Sequence, residues 1–281
     1  SSGRSTVDRI DYANDTATAV EKGNLAQAVS EAGSSSSSFF GYVFGGYAPR
    51  RTAVQRIEYA NDTATALQKG PLNHERRHVK GTGNKDFGYV MGGNYPGKRS
   101  DVERIDYSND SATPLIRGDL TGTTYRNTAV GNQNFGYVTL AYPSSKSSID
   151  RVDYSNDTAT ASPKGPLSAG RYSLAATGNA SFGYFGGGSI WPNALSTVDR
   201  LDYSNDTAAA VAKGPLSSAI SDLNATGNSS FGYFGSGAPT LTTVTRVDYS
   251  NDTATSSVKG PLTLGRRLTS AFSAAECNNP Q

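Results

Sequence analysis

The sequence predicts an all-β fold in which six blades of four antiparallel strands close into a ring, and three observations lead there. The first is a repeat along nearly all 281 residues: VDRIDY (7–12), VQRIEY (54–59), VERIDY (102–107), IDRVDY (149–154), VDRLDY (198–203) and VTRVDY (244–249). Their arginines, Arg9, Arg56, Arg104, Arg151, Arg200 and Arg246, fall 47, 48, 47, 49 and 46 residues apart, a period that marks a propeller or solenoid. The second is that no apolar spacing of 3.6 residues persists through a unit, which argues against a helical solenoid. The third is composition: 36% hydrophobic residues with 31 glycines and 16 tyrosines suits short strands and tight turns. Residues 1–281 therefore read as a single domain.

The unit from Gly170 to Lys213 shows the four strands in order. RYSLAATG (171–178) is strand a, ending on a Gly-Asn turn. FGYFGG (182–187) is strand b; Phe182 and Tyr184 point to one face, and Gly183 leaves the other face bare for a close neighbour. VDRLDY (198–203) is strand c. A Ser-Asn-Asp-Thr turn follows, in which the Asn-Asp pair bonds its own backbone, and TAAAVAK (207–213) returns as strand d. The proline of KGPL closes that strand.

Strands a and c occur six times but strand b only five, so the chain opens on strand c and ends after strand a. The expected ring has five continuous blades and a sixth clasped from both termini, residues 7–21 giving c and d and 266–274 giving a. The missing sixth strand b points to a fragment of a longer chain.

The shared residues read as scaffold. In strand c, Arg200 and Asp202 lie on one face, and this i, i+2 pair recurs in every copy, with Glu58 in the second. It reads as an ion pair supported by hydrogen bonds between strands or blades. The Asn14-Asp15-Thr16 triplet and its five equivalents match the N-glycosylation pattern, but their fixed hairpin position favours turn chemistry.

The units also resemble kelch repeats. The likeness rests on an arginine leading strand a (Arg171, Arg126), paired glycines after strand b (Gly186-Gly187, Gly92-Gly93) and a tyrosine closing strand c (Tyr107, Tyr154, Tyr203). The tryptophan usual in kelch strand d is missing from every copy, and the double glycine becomes Leu140-Ala141 in the third and Gly235-Ser236-Gly237 in the fifth. The wording DYSNDTATA…KGPL with ATGN-x-x-FGYFGGG is similar to repeat proteins of marine and cyanobacterial phages. That second resemblance implies a tail-fibre or virion-surface protein, exposed outside the host and engaged in host attachment.

Variation between copies locates the expected site. The a–b and c–d turns keep one wording, whereas the b–c and d–a loops, which leave the opposite face of the disc, differ in every unit. These loops carry Tyr47, Arg50, His74, Arg76, Arg77, Tyr95, Lys98, Tyr125, Tyr142, Tyr172 and Trp191. Rigid scaffolds place recognition on such loops. Exposed rings suit the apolar faces of sugars, and guanidinium forks suit carboxylates or sulfates. The expected partners are a host surface glycan or envelope protein and other virion subunits.

The remaining chemistry is read by exclusion. A net charge of +2, spread evenly, gives no case for nucleic acid. No apolar stretch is long enough for membrane insertion as a helix. The kelch resemblance admits copper oxidases, but Cys277 is the sole cysteine and both histidines, His74 and His78, sit in one loop. No nucleophile elbow, phosphate loop or glycosidase carboxylate pair stands out. No cofactor, no metal and no enzymatic activity are expected. The leading expectation is a carbohydrate-binding module, with an architectural virion subunit second and a polysaccharide-degrading enzyme third.

Overall fold

The computed structural model describes residues 3–47, 52–142 and 145–274. It is an all-β propeller with five four-stranded blades. Strands a to d span Gly33–Ser36, Phe40–Phe44, Val54–Glu58 and Leu67–Gln68 in blade 1, and Lys80–Gly83, Phe87–Met91, Arg99–Asp106 and Leu115–Thr124 in blade 2. In blade 3 they are Ala129–Gly131, Phe135–Thr139, Ile149–Asp153 and Ser162–Lys164. Blade 4 has Ala175–Gly178, Phe182–Gly186, Val198–Asp202 and Val211–Lys213, and blade 5 has Asn224–Gly227, Phe231–Gly235, Val244–Asp248 and Ser257–Lys259. Every pairing within a blade is antiparallel.

The expected count of six blades is corrected to five. The sixth position holds only a two-stranded sheet, Asp8–Arg9 against Val20–Glu21, in the places of strands c and d. Residues 266–274 run where strand a would lie: Thr269 meets Asn224 of blade 5, and Ser34 and Ser36 of blade 1 bond to the carbonyls of Ala271 and Ser273. No described segment supplies strand b there, so no four-stranded ladder forms.

The ring nevertheless closes through one contact repeated six times. The strand-c arginine of each unit reaches the aspartate of the next unit's Asn-Asp turn: Arg9–Asp62, Arg56–Asp110, Arg104–Asp157, Arg151–Asp206, Arg200–Asp252 and Arg246–Asp15, all at 2.7–2.8 Å. A second cation from strand d, such as Lys69 or Lys259, sits on the same carboxylate. Five of the six aspartates also accept the hydroxyl of the strand-b tyrosine: Tyr42, Tyr89, Tyr137, Tyr184 and Tyr233. Burial opposes ionisation of Asp15 and Asp206, but their tyrosine, lysine and arginine partners hold both below the usual carboxylate range. The same desolvation, with the facing carboxylate, raises the tyrosines.

This corrects the expected i, i+2 ion pair of strand c. The acid two residues after the arginine turns the other way and caps a short 3-10 turn; Asp202 accepts from the Ser204 amide and hydroxyl, and Asp106 from those of Ser108. Glu58, one methylene longer, makes no such cap. The tyrosine closing strand c belongs to that turn and, in every unit but that of Tyr59, stacks on the strand-b tyrosine of the preceding blade, as Tyr203 does on Tyr137 at 4.8 Å. The strand-c arginine of each four-stranded blade also lies over its own strand-b phenylalanine, as Arg56 does over Phe40 and Arg200 over Phe182.

The core therefore lies between blades. Tyr42, Phe44 and Val54 of blade 1 pack with Val90, Ile105 and Tyr107 of blade 2, and equivalent clusters follow at the next three junctions. Strand a is shorter than read from sequence, starting at Ala175 instead of Arg171 in blade 4. Its lead-in carries a second buried relay. Arg171 bonds Asp199 and the Gly187 carbonyl; Arg76 bonds Glu103, Asp101 and the Gly92 carbonyl; Arg266 bonds Asp8 and the Thr6 carbonyl. Arg126, grouped with Arg171 on sequence, is not its counterpart and lies two positions further along the unit.

Candidate functional site

The b–c and d–a loops emerge together. Isolated bridges join them in four units: Ser30 to Tyr47, Arg77 to Asn94, Tyr172 to Ser189 and Leu241 to Arg266. At the centre of this face a ring of six residues begins the strand-a lane of each unit: Glu31, His78, Arg126, Ser173, Asp222 and Leu268. Each has a left-handed backbone, with φ between 49° and 59°. Such a φ is strained for residues with side chains and persists only where surroundings enforce it. Here a chain of backbone bonds does so, from Ser173 N–H to Arg126 O, Asp222 to Ser173, Leu268 to Asp222 and Glu31 to Leu268, at 2.8–3.0 Å.

Below this ring Lys80 spans the axis from blade 2, and its Nζ donates to Asn224 Oδ1 of blade 5 at 2.9 Å. It separates a small cavity beneath the ring from a second on the other side. Burial pushes the Lys80 ammonium down to about 8, against the pull of Asp222. Burial, then the charges of Arg126, Arg77 and Lys80, push His78 down to about 3, so its imidazole is neutral at pH 7. Glu31, whose Oε2 lies 3.2 Å from His78 Nε2, is raised by burial, with Arg77 and Arg126 opposing. The buried Glu31 Oε2, Asn127 Oδ1, Ser173 Oγ and Asp222 Oδ1 have no hydrogen-bond partner among the described residues. The mouth thus presents three unsatisfied acceptor oxygens and one hydroxyl that can donate or accept.

An aromatic and cationic row extends outward from the ring. Arg77 lies over Tyr47 at 5.1 Å; His78 is 6.0 Å from Tyr125; Tyr125 packs on Tyr142 at 4.3 Å; Tyr142 meets Tyr172 edge-on at 5.7 Å; Arg126 sits over Tyr172 at 5.9 Å. Burial, together with Tyr142, pushes the Tyr125 hydroxyl up to about 12. Of the residues expected from sequence, Tyr47, Arg77, Tyr125, Tyr142 and Tyr172 are brought into this row. Tyr95, Lys98 and His74 stand in loops of the same face, and Trp191 tops a hairpin of Ser189–Ile190 and Asn193–Ala194 with 82% of its surface exposed. Arg76 is corrected: it is 0% exposed and ion-paired with Asp101 and Glu103, so it supports the loop instead of meeting a ligand. Arg50 lies outside the described residues.

Sequence reading missed Glu31, Arg126, Asp222 and Lys80. The available signal was their register: each axial residue follows its unit's anchor arginine by 22 positions, from Arg9 to Glu31 through Arg246 to Leu268. Because the six side chains differ, the repeat hides the position. Among the described residues no cluster of three metal-ligating side chains occurs, and no helix is long and apolar enough to cross a membrane.

No family model matches the chain, and no curated protein does. Among solved structures, that of YjhT matches with a TM-score of 0.73 at 13% sequence identity, covering 88% of each chain. The shared feature is the propeller. At so low an identity the likeness concerns the fold alone, and propellers host unrelated functions.

Proposed function

We propose that the chain is a non-catalytic binding module that holds a glycan on its variable face. The observation that carries this reading is the continuous row from Tyr47 and Arg77 through Tyr125, Tyr142 and Tyr172 to Arg126, bordering the axial mouth. These tyrosines, tilted or edge-on to one another, offer apolar ring surfaces to sugar rings, and the flanking guanidinium groups favour acidic sugars. The neutral His78 and the unsatisfied polar atoms beneath it suit hydroxyl groups, which donate and accept. The kelch-like wording of the repeats and their likeness to phage tail proteins extend the reading to host attachment from a virion surface.

The test is a glycan array followed by calorimetry on the best ligand. A host polysaccharide, acidic ones foremost, is expected to bind, and Tyr125→Ala or Tyr172→Ala to weaken it at least tenfold without changing the melting temperature of the scaffold. Binding that survives both substitutions, or occurs only through an envelope protein, would defeat the glycan assignment. Loss of polymer viscosity on incubation would defeat the non-catalytic one.

A further inference from the structure

Arg76, Arg171 and Arg266 are each held by an acid, Glu103, Asp199 and Asp8, and Arg77 lies 3.8 Å from Glu31. Arg126 has no such partner. Its guanidinium is half-buried at the axial mouth, backed by the Tyr172 ring at 5.9 Å, and makes no hydrogen bond or ion pair among the described residues. Its left-handed backbone, bonded through its carbonyl to the Ser173 N–H, fixes where the side chain leaves the ring. Beside it a pit of about 30 Å³ sinks below the ring, room for one hydroxyl-sized group. Glu31, Asn127, Ser173 and Asp222 line it, and each carries a buried oxygen that no described residue satisfies. Lys80 lies at its floor; its Nζ donates to Asn224 Oδ1 and keeps further N–H bonds to give. A group that both donates and accepts suits this pit, and a hydroxyl does so. Charge selects what lies next to that hydroxyl. With His78 neutral, Glu31 and Asp222 stand against Lys80, Arg77 and Arg126, which leaves a surplus positive charge, and Arg126 is the cation without a counter-ion.

We infer that the axial mouth holds a single uronic acid unit, its carboxylate on Arg126 and one of its hydroxyls in the pit above Lys80, and that Arg126 selects carboxylate sugars over sulfated ones. This rests on the glycan reading above and adds the class of sugar and the residue that chooses it. A guanidinium offers parallel N–H bonds that match both oxygens of a planar carboxylate. A sulfate ester brings a third oxygen, and in a mouth lined by Glu31 and Asp222 that extra oxygen meets like charge. Arg77 does not do the same work, because Glu31 already lies against it. The tyrosines beside the mouth take the apolar face of the same unit or of its neighbour in the chain.

The probes are four hexuronates, glucuronate, galacturonate, mannuronate and guluronate, each titrated into the intact chain at pH 7 and followed by proton NMR of the His78 ring. At least one is expected to bind saturably at millimolar concentration or below. Its amide, which keeps the shape and loses the charge, and the matching hexose 6-sulfate are each expected to bind about tenfold more weakly or worse, the loss of hydrogen bonds to a charged group. Arg126→Asn, a residue type that tolerates the left-handed backbone, is expected to make uronate and amide bind alike. Ser173→Asn, tolerated for the same reason, fills the pit and is expected to weaken both together. The sugar variants leave the protein untouched, so a folding defect cannot mimic their ranking. Equal binding of the 6-sulfate, or a preference for uronate that survives Arg126→Asn, would overturn the inference. So would failure of all four hexuronates. The glycan array separates this from failure of the wider reading: a neutral or sulfated polysaccharide whose binding Tyr125→Ala weakens would keep the glycan module and discard the uronate site, whereas no binding to any glycan would discard both.

Discussion

Arg246 Nη1 lies 2.7 Å from Asp15 Oδ2 although 231 residues separate them in the chain. The same carboxylate oxygen accepts the Tyr233 hydroxyl at 2.8 Å, and Lys259 sits on the other oxygen. One aspartate from the sixth position thereby binds three side chains of blade 5. The seam of the ring is built from the same parts as its continuous joints.

Removing that aspartate should open the seam. Asp15→Ala leaves Arg246, Tyr233 and Lys259 without their shared acceptor and is expected to cost about 2–4 kcal/mol, the order found when one partner of a largely buried pair is deleted. Asp62→Ala, at the joint that has no tyrosine and a mostly exposed arginine, is expected to cost clearly less, since exposed pairs contribute little. Urea unfolding of the two variants checks the order; equal costs would contradict the account of the relay.

A second set of contacts depends on glycine. In each unit the glycine that follows the strand-d cation (KGPL in four units, KGNL and RGDL in the others) packs on the backbone of the next unit, so a Cβ on Gly165 would lie 1.7 Å from the Ala208 carbonyl oxygen and one on Gly260 1.8 Å from that of Ala17. The obstruction is backbone and cannot rotate away. Gly165→Ala is expected to destabilise by about 2 kcal/mol or more, outweighing the entropy alanine removes from the unfolded chain. Gly97→Ala, with nothing within 4 Å, is the control and should be neutral in thermal melts.

His78 makes stability depend on pH. The unfolded imidazole binds its proton near the ordinary 6.5, the folded one only near 3, so between these values the unfolded chain holds more protons. The contribution is complete above pH 6.5 and is withdrawn as the pH falls toward 3. Arg126, Arg77 and Lys80 around the ring add to the effect. Glu31, whose folded carboxyl is raised, works against it in the lower part of the window. His78→Asn, which tolerates the left-handed backbone, should flatten the slope between pH 6.5 and 5 by up to about 1.4 kcal/mol per pH unit. Chemical denaturation at several pH values measures this. A proton-NMR titration showing His78 charged at pH 6 would refute it.

The repeat made most of the fold legible. Strand order, the five aromatic strands b and the turn chemistry of Asn-Asp follow from residues that recur at fixed offsets. The blade count did not, because half of the sixth unit's strand pairing needs a strand b that no described residue supplies. The partner of each strand-c arginine was also hidden. Two acids lie near it in every unit, and only the geometry of the disc shows that it passes over Asp202 to reach the next unit's Asp252. The site was legible where loops vary in sequence, as at Tyr125 and Tyr172. Arg76 was misread because a loop arginine looks exposed until its buried acid, 27 residues away, is seen. The axial ring escaped notice because its constancy lies in backbone conformation and its side chains share nothing.

Ring closure can be measured directly with spin-label pairs on the outer strands. Val20, Val211 and Ser257 occupy the same register of strand d in the sixth position, blade 4 and blade 5, and all three are exposed. With Cys277 replaced and labels placed pairwise, double electron–electron resonance should give the same distance for 20–257 as for 211–257, because both pairs join neighbouring units of a closed disc. A 20–257 distance several blade widths longer than 211–257 would mean an open stack, and the closed-ring account would fail.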